Sequence, residues 1–231
     1  MSDFARRLAE IKDRIAAAAR RAGRDPAQVR LVAVSKTVGL EALREAVAAG
    51  QRLFGENYLQ EALGKITALG PEVEWHFIGH LQSNKAKAAV GRFALIHSLD
   101  RLSLAEALEK AAARLGTVQE VLVQVNLAGE ASKSGVAPEA AAELLRALKR
   151  FPHLRVMGLM TLPPFFPDPE AVRPYFRALR ELRDRLKAQG LADTGLPELS
   201  MGMSGDFEVA VEEGATLIRV GTALFGPRPT A

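Results

Sequence analysis

The sequence predicts an α/β protein built as a single (β/α)8 barrel of the TIM type with an additional N-terminal helix. Short apolar runs with strand character alternate with amphipathic helical segments, which is typical of a parallel sheet covered by helices. We count about eight such runs, the number that closes a parallel barrel, and the 231 residues are close to the ~250 that such a barrel takes. An open doubly wound sheet is the competing topology.

The chain begins with a predicted helix that precedes the barrel. Its apolar residues recur at the spacing of one buried helical face: Phe4, Leu8, Ile11 and Ile15. The Gly-Arg-Asp-Pro stretch at 23–26 then breaks the pattern. Arginines at this end would suit a transit peptide, but acidic residues are interspersed and no apolar signal core follows. We therefore predict one domain over 1–231, with the helix in 1–24 and the barrel in 30–226.

The remaining elements follow in order. Strands are predicted at 30–35, 52–55, 74–78, 94–97, 119–125, 154–159, 198–200 and 216–220. Asp168 before Pro169 predicts a capped helix start, and Asn57 with Gln60 resembles a capping box. The basic stretch at 177–187 lies on a predicted helix whose apolar stripe runs from Val172 to Leu186, so its charges are interpreted as a solvated helix face.

The composition narrows the class of protein. No cysteine is present, which excludes disulfides, thiolate metal sites and cysteine nucleophiles. The net charge is +4, but 31 Lys and Arg are nearly matched by 27 Asp and Glu and the signs interleave, so we do not expect nucleic-acid binding. No run approaches the ~20 apolar residues of a membrane span. We expect a soluble cytoplasmic protein.

Lys36 is the first candidate functional residue. It ends an apolar run that reads as a buried parallel strand, so it would emerge at the carboxyl edge of the sheet, inside the mouth of a barrel. A lysine at a strand end is usually only a solvated edge residue. In a barrel mouth, however, desolvation would lower the pKa of its amine and favour nucleophilic attack on an aldehyde.

A group of hydroxyls and glycines near the end of the chain is the second candidate. Ser200, Ser204 and Thr222 supply hydroxyls, and Gly221 follows the last strand, where its N–H can approach an anion closely. The serines could instead cap the helix that follows them. Barrels often bind phosphate in the loops after strands seven and eight, where these residues fall. A lysine nucleophile with a phosphate cradle suggests pyridoxal 5'-phosphate (PLP).

Arg219 lies inside the otherwise apolar last strand and needs a partner. One interpretation is a buried ion pair with Glu208 or Glu56. The other places its guanidinium against the pyridine nitrogen of the cofactor. Because arginine keeps its proton, that nitrogen would stay unprotonated and the ring would be a weaker electron sink.

The histidines and the loop at 161–167 carry two further predictions. His76 and His80 have the separation of a helical metal pair, but along a strand and its exit they would lie roughly 13 Å apart, so we expect no metal site. His97 and His153 are interpreted as structural. The loop at 161–167 holds two phenylalanines among prolines, and of a lid, a contact surface or a packed loop we favour the packed loop.

Several motifs together resemble the pyridoxal phosphate homeostasis protein family, in order and over almost the whole chain. They are VSKT at 34–37, FGENYLQE at 54–61, WHFIGHLQSNK at 75–85, KSG at 133–135, GLMT at 158–161, SMGMS at 200–204 and RVGTALFG at 219–226.

The resemblance implies a barrel similar to the N-terminal domain of alanine racemase, with PLP held as an aldimine on Lys36. It also implies a role in vitamin B6 and amino-acid homeostasis. The implied cofactor contacts are Asn57 and Met160 near the ring, Arg219 near the ring nitrogen, and Ser200, Ser204, Gly221 and Thr222 around the phosphate. The chain departs from the family at His80 and Gly205, which we place away from these contacts.

Three functions use the same lysine and phosphate site. The leading hypothesis is a carrier with little or no turnover, which holds PLP on Lys36 and exchanges it with PLP-dependent enzymes or free pools. We expect no racemisation because the chain ends at Ala231, without the second domain that gives alanine racemase its other acid/base group. A PLP-dependent racemase or lyase is the alternative, and an aldolase that uses no cofactor is the third.

Overall fold

Residues 2–130 and 134–227 are described in the computed structural model, and within them eight parallel strands close a barrel in chain order. The strands are β1 (Arg30–Val34), β2 (Leu53–Glu56), β3 (Glu74–Phe77), β4 (Leu95–Leu99), β5 (Gln119–Gln124), β6 (Leu154–Met160), β7 (Glu198–Ser200) and β8 (Leu217–Val220). β1 closes the barrel by pairing with β8, from Arg30 opposite Leu217 to Ala33 opposite Val220. The predicted barrel is confirmed, each strand end lies within two residues of its predicted position, and the open sheet is excluded.

Helices cover the outside of the barrel. Those in the described residues are α1 (Asp3–Arg21), α2 (Leu40–Ala48), α3 (Leu59–Leu69), α4 (Ala86–Ala89), α5 (Leu102–Leu115), α6 (Ala141–Leu148), α7 (Arg173–Ala188), α8 (Phe207–Glu212) and α9 (Thr222–Phe225). The predicted N-terminal helix is α1, and its apolar stripe is buried. It packs on the last two helices, with the Phe4 and Phe225 ring centroids 5.1 Å apart and Arg14 paired to Glu208 at 2.7 Å.

One of the two predicted helix caps is present. The Asp168 side chain accepts a hydrogen bond from the N–H of Glu170 at 2.9 Å, as predicted. The capping box at Asn57 is wrong, because α3 begins at Leu59 after Tyr58 and no side chain caps it. The main chain of Asn57 instead lies against Gly79, where a Cβ would stand 2.2 Å from the Asn57 carbonyl oxygen.

The alternation of side chains along each strand divides the core into two layers. Inward-facing residues fill the barrel: Val32, Leu53, Leu95, Leu122, Met160 and Leu217. Outward-facing residues such as Leu31, Ala33 and Phe54 pack against the helices. Each large apolar side chain buried in this way contributes ~1.5–3 kcal/mol. The same alternation in β1 directs Val34 and Lys36 toward the barrel mouth and Ser35 toward the helices.

Candidate cofactor-binding site

A cavity of about 370 Å³ opens at the carboxyl ends of the strands, where barrel enzymes place their active sites. Six of the eight predicted contact residues line it, brought together from both ends of the chain. They are Lys36 after β1, Asn57 after β2, Ser204 after β7, Arg219 in β8, and Gly221 and Thr222 directly after β8.

The other two predicted contacts, Met160 and Ser200, lie outside the cavity wall. Both are fully buried. Met160 packs in the barrel interior with residues such as Val32 and Leu217. The hydroxyl of Ser200 is occupied by Arg219 and His97. Neither side chain therefore lines the cavity, and their contact with PLP stays a prediction.

Lys36 is presented by a tight turn. The N–H of Val38 donates to the carbonyl of Ser35 at 3.0 Å, and Thr37 between them has a left-handed backbone with φ of 63°. A threonine in this conformation is uncommon and persists only where its surroundings fix it. Lys36 is partly buried and lines the cavity.

Three charged side chains support this turn from the side facing the helices. Lys65 of α3 donates to the carbonyl of Ser35 at 2.6 Å, to Glu56 at 2.8 Å and to Glu61 at 2.6 Å. The hydroxyl of Ser35 also donates to Glu56, at 2.6 Å. Burial raises the pKa of Glu56, although Lys65 and Ser35 both donate to it. No motif in the sequence indicates this group of residues.

The loop after β7 forms another part of the cavity wall. The hydroxyl of Ser204 accepts long hydrogen bonds of 3.4 Å from the N–H groups of Gly221 and Ala223. Asp206, rather than a serine, precedes α8 at its N-cap, and it accepts a hydrogen bond from the N–H of Met203 at 2.6 Å. Burial raises the pKa of Asp206. A hydroxyl and two main-chain N–H groups therefore meet at one place on the wall.

Two glycines shape this loop. Gly202 has φ of +94°, and a Cβ there would lie 2.5 Å from the Cβ of Ala210, so a side chain would push the loop away from α8. Its carbonyl accepts the N–H of Arg219 at 3.0 Å, which ties the loop to β8. Gly205 lies in the cavity wall, so the expectation that it stands apart from the site is wrong.

Arg219 makes neither of the ion pairs considered from the sequence. It donates to the hydroxyl of Ser200 at 2.5 Å and to the carbonyl of Thr161 at 2.9 Å. Glu208 pairs with Arg14 instead. Burial lowers the pKa of Arg219 to about 10, against the opposing effect of Asp206. The guanidinium therefore remains a cation at neutral pH, fixed at the edge of the cavity.

A chain of hydrogen bonds runs from Arg219 through the barrel interior. Ser200 Oγ lies 2.9 Å from Nδ1 of His97. Nε2 of His97 lies 3.0 Å from Nδ1 of His76. Nε2 of His76 lies 2.9 Å from Oε1 of Glu74. Burial lowers the pKa of both histidines, so each is neutral and has one donor and one acceptor. Glu74 can only accept, so His76 donates to Glu74, His97 donates to His76 and Ser200 donates to His97. The Ser200 oxygen accepts from Arg219. Both histidines are buried, as a structural role requires, but their connection was not predicted.

The loop at 161–167 is part of the cavity wall. Leu162, Phe165 and Phe166 line the cavity. Phe166 contacts Tyr175, with ring centroids 5.7 Å apart, whereas Phe165 is 85% exposed. The prediction of a packed loop therefore holds for one phenylalanine and is wrong for the other.

The remaining sequence features lie away from this cavity. His80 bonds the hydroxyl of Ser134 at 3.0 Å, on a neighbouring cavity that also contains Gln82 and Lys85. Lys133 of the KSG motif lies outside the described residues. Throughout 2–130 and 134–227, no cluster of three or more histidine or acidic side chains is arranged to hold a metal ion. No helix in the same ranges has the length and apolar character needed to cross a membrane.

Comparison with known proteins gives consistent relationships over nearly the full length. The family model for the alanine racemase N-terminal domain matches residues 7–229. A pyridoxal phosphate homeostasis protein of Aquifex aeolicus is 51% identical over 96% of this chain and 97% of its own length. One from Pseudomonas aeruginosa is 50% identical over 99% of this chain and 97% of its own length.

Solved structures agree with these relationships. PipY of Synechococcus elongatus, solved with PLP bound, has a TM-score of 0.84 and 40% identity, covering 97% of this chain and 100% of PipY. An alanine racemase of Corynebacterium glutamicum is similar in fold alone, with a TM-score of 0.70 and 21% identity, over 97% of this chain and 63% of the racemase.

Proposed function

The chain belongs to the pyridoxal phosphate homeostasis protein family, and on that premise we propose that it binds PLP through Lys36 and takes part in intracellular PLP and amino-acid homeostasis. The observation that carries the proposal is the cavity that unites Lys36 with Ser204, Gly221 and Arg219. The solved structure of PipY with PLP, at 40% identity, supports the same ligand.

The residues at the cavity fit this cofactor. A volume of about 370 Å³ accommodates a small aromatic phosphate ester. The hydroxyl of Ser204 and the N–H groups of Gly221 and Ala223 already converge, at 3.4 Å, which is the donor set that an anion needs. The buried Oδ1 of Asn57 has no hydrogen-bond partner among the described residues, so a donor on the ligand would satisfy it.

Each residue has a distinct task in this proposal. PLP, when bound, supplies an aldehyde with which an amine condenses with loss of water, and a ring that withdraws electrons. Lys36 provides that amine from its turn. Ser204, Gly221 and Thr222 would hold the phosphate. Arg219, a fixed cation that keeps its proton, would face the ring nitrogen and would leave that nitrogen unprotonated.

We further propose that binding occurs with little or no turnover. Racemisation requires a proton donor or acceptor on each face of the substrate carbon. Apart from Lys36 and Arg219, Asp206 is the ionisable side chain on the described wall, and its Oδ1 is occupied by the N–H of Met203. We also propose that PLP-dependent enzymes receive PLP from this protein, which transfer assays with such enzymes test. A cytoplasmic location is part of the same proposal, and cell fractionation tests it.

An absorption spectrum is the first experiment. Protein incubated with PLP should turn yellow, and borohydride should fix one PLP per chain to the peptide that contains Lys36. A colourless protein that is trapped only by a phosphorylated sugar would favour the aldolase. Sustained interconversion of D- and L-alanine, followed by optical rotation, would favour the racemase.

A further inference from the structure

We propose that Glu61 and Lys65 of α3 are positioning residues for Lys36. They fix the main chain on both sides of Lys36 and thereby hold its side chain toward the cavity. The inference deepens the proposed function and rests on it only in the role given to Lys36, because the contacts themselves involve no ligand.

The main-chain groups on both sides of Lys36 are hydrogen-bonded to two side chains of α3, which are also bonded to each other. The carbonyl before Lys36, that of Ser35, accepts from Nζ of Lys65 at 2.6 Å. The N–H after it, that of Thr37, donates to Oε1 of Glu61 at 2.7 Å. Lys65 and Glu61 are joined to each other at 2.6 Å. The two main-chain groups that flank Lys36 are therefore tied to one point on α3.

The left-handed backbone at Thr37 explains why such a tie is needed. With φ of 63°, Thr37 has a backbone conformation that is unfavourable for residues other than glycine. Without the hydrogen bonds from α3, the turn would therefore change to a more favourable conformation. The hydrogen bond from Thr37 ends on a carboxylate, which makes it stronger than one to a neutral acceptor. The link from α3 thus maintains a strained turn whose only side chain in the cavity wall is Lys36.

Simple stabilisation of the fold does not account for these contacts equally well. A buried charge cluster is often no more stabilising than apolar side chains of the same volume. Glu213 provides the contrast, because it is similarly buried and paired at 3.2, 3.1 and 2.9 Å with Arg173, Arg177 and Arg180. Those pairs join α7 to the end of α8 and involve no residue of the cavity wall.

The experiment compares three variants of the full chain. Glu61→Ala removes the acceptor for Thr37, and this side chain is 29% exposed, so the variant should fold. Glu61→Gln keeps an oxygen acceptor without the charge. Glu213→Gln is the matched control, since it weakens a buried cluster away from the cavity. Two quantities are measured: amide hydrogen exchange at Thr37 in PLP-free protein, and the rate of PLP release after dilution.

We expect Glu61→Ala to accelerate both exchange at Thr37 and PLP release about tenfold, the size expected for losing one hydrogen bond to a charged group. Glu61→Gln should fall between Glu61→Ala and wild type, and Glu213→Gln should match wild type at Thr37. The inference is overturned if Glu61→Ala leaves exchange at Thr37 unchanged, or if Glu213→Gln accelerates PLP release equally.

The two readouts separate this inference from the proposed function. If wild-type protein failed to hold PLP while Glu61→Ala still accelerated exchange at Thr37, the proposed function would be wrong and the positioning of the turn would stand. If wild-type protein held PLP and neither rate responded to Glu61→Ala, the positioning role alone would be wrong.

Discussion

The two sides of the cavity are supported by different kinds of interaction. On the Lys36 side, the charged side chains of Lys65 and Glu61 on α3 form hydrogen bonds with the main chain from outside the barrel. We call these two residues the charged support. On the Arg219 side, the neutral side chains of Ser200 and His97 hold the guanidinium of Arg219 through hydrogen bonds inside the barrel. We call these two residues the neutral support.

The difference follows from what each side has to hold in place. The covalent role proposed for Lys36 is best served by fixing the main chain that carries this flexible side chain. A planar arginine that makes a directional contact is best fixed at the guanidinium itself. The charged support should be the more costly to break, because removing one member leaves a buried charge without compensation.

The largest expected effect comes from the residue that the charged support presents. Lys36→Ala should abolish borohydride-stable attachment of PLP, because no other described amine lies in the cavity wall, while the melting temperature stays near that of wild type. Mass spectrometry after reduction measures the attachment, with the exposed Lys85→Ala as the control. Persistent labelling of Lys36→Ala would show that another lysine carries the cofactor.

Breaking the charged support itself should lower stability most. Lys65→Met leaves the fully buried Glu56 without its cation, so we expect the free energy of unfolding to fall by about 3 kcal/mol. Urea denaturation at pH 7 measures the change. A loss below that of the Ser200 variant described next would contradict the ranking of the two supports.

Breaking the neutral support should cost less. Ser200→Ala removes the partner of both Arg219 and His97, and we expect a loss of about 2 kcal/mol together with weaker PLP binding, since the arginine is no longer fixed. Denaturation and PLP titration check the two effects. Thr67→Ala, a hydroxyl on the exposed face of α3, serves as the control.

The smallest effect is a pH dependence confined to the neutral support. Burial, with His76, Arg219 and Arg30 nearby, holds the pKa of His97 well below its usual 6.5. Below pH 6.5 the unfolded chain therefore takes up a proton at His97 that the folded chain does not. The contribution of neutral His97 to the free energy of unfolding is therefore fully present above pH 6.5 and is lost as the pH falls below it.

His97→Gln removes that proton uptake. The stability advantage of wild type over the variant should therefore shrink by about 1.5 to 2 kcal/mol between pH 7 and pH 5. Denaturant unfolding of both proteins across this range measures the difference. An advantage that stays constant with pH would mean that His97 is not held neutral in the fold.

The outer features of the site could be predicted from the sequence. Lys36 ends an apolar strand and Gly221 follows one, so strand direction alone brings both to the same edge of a barrel. Met160 and Ser200 were expected there too, but alternation along a strand gives only the inward direction. Depth along the barrel axis decides whether an inward residue touches the ligand or lies beneath it, and depth depends on register.

The supports behind the site could not be predicted in this way. Glu61 and Lys65 have the spacing of a solvated helical pair, and only the packing of α3 on the barrel buries Lys65 and brings Glu61 to the turn. His76 and His97 meet because His76 pairs with Leu95 in the β3–β4 register, which brings the inward residue two positions later within reach. A single sequence does not contain that register.

A crystal structure of the protein with PLP tests the central claim most directly. We predict continuous electron density from Nζ of Lys36 to the cofactor, and phosphate oxygens within hydrogen-bonding distance of Ser204 Oγ and the Gly221 N–H. Density for PLP on another lysine, or a phosphate outside the loops after β7 and β8, would contradict it.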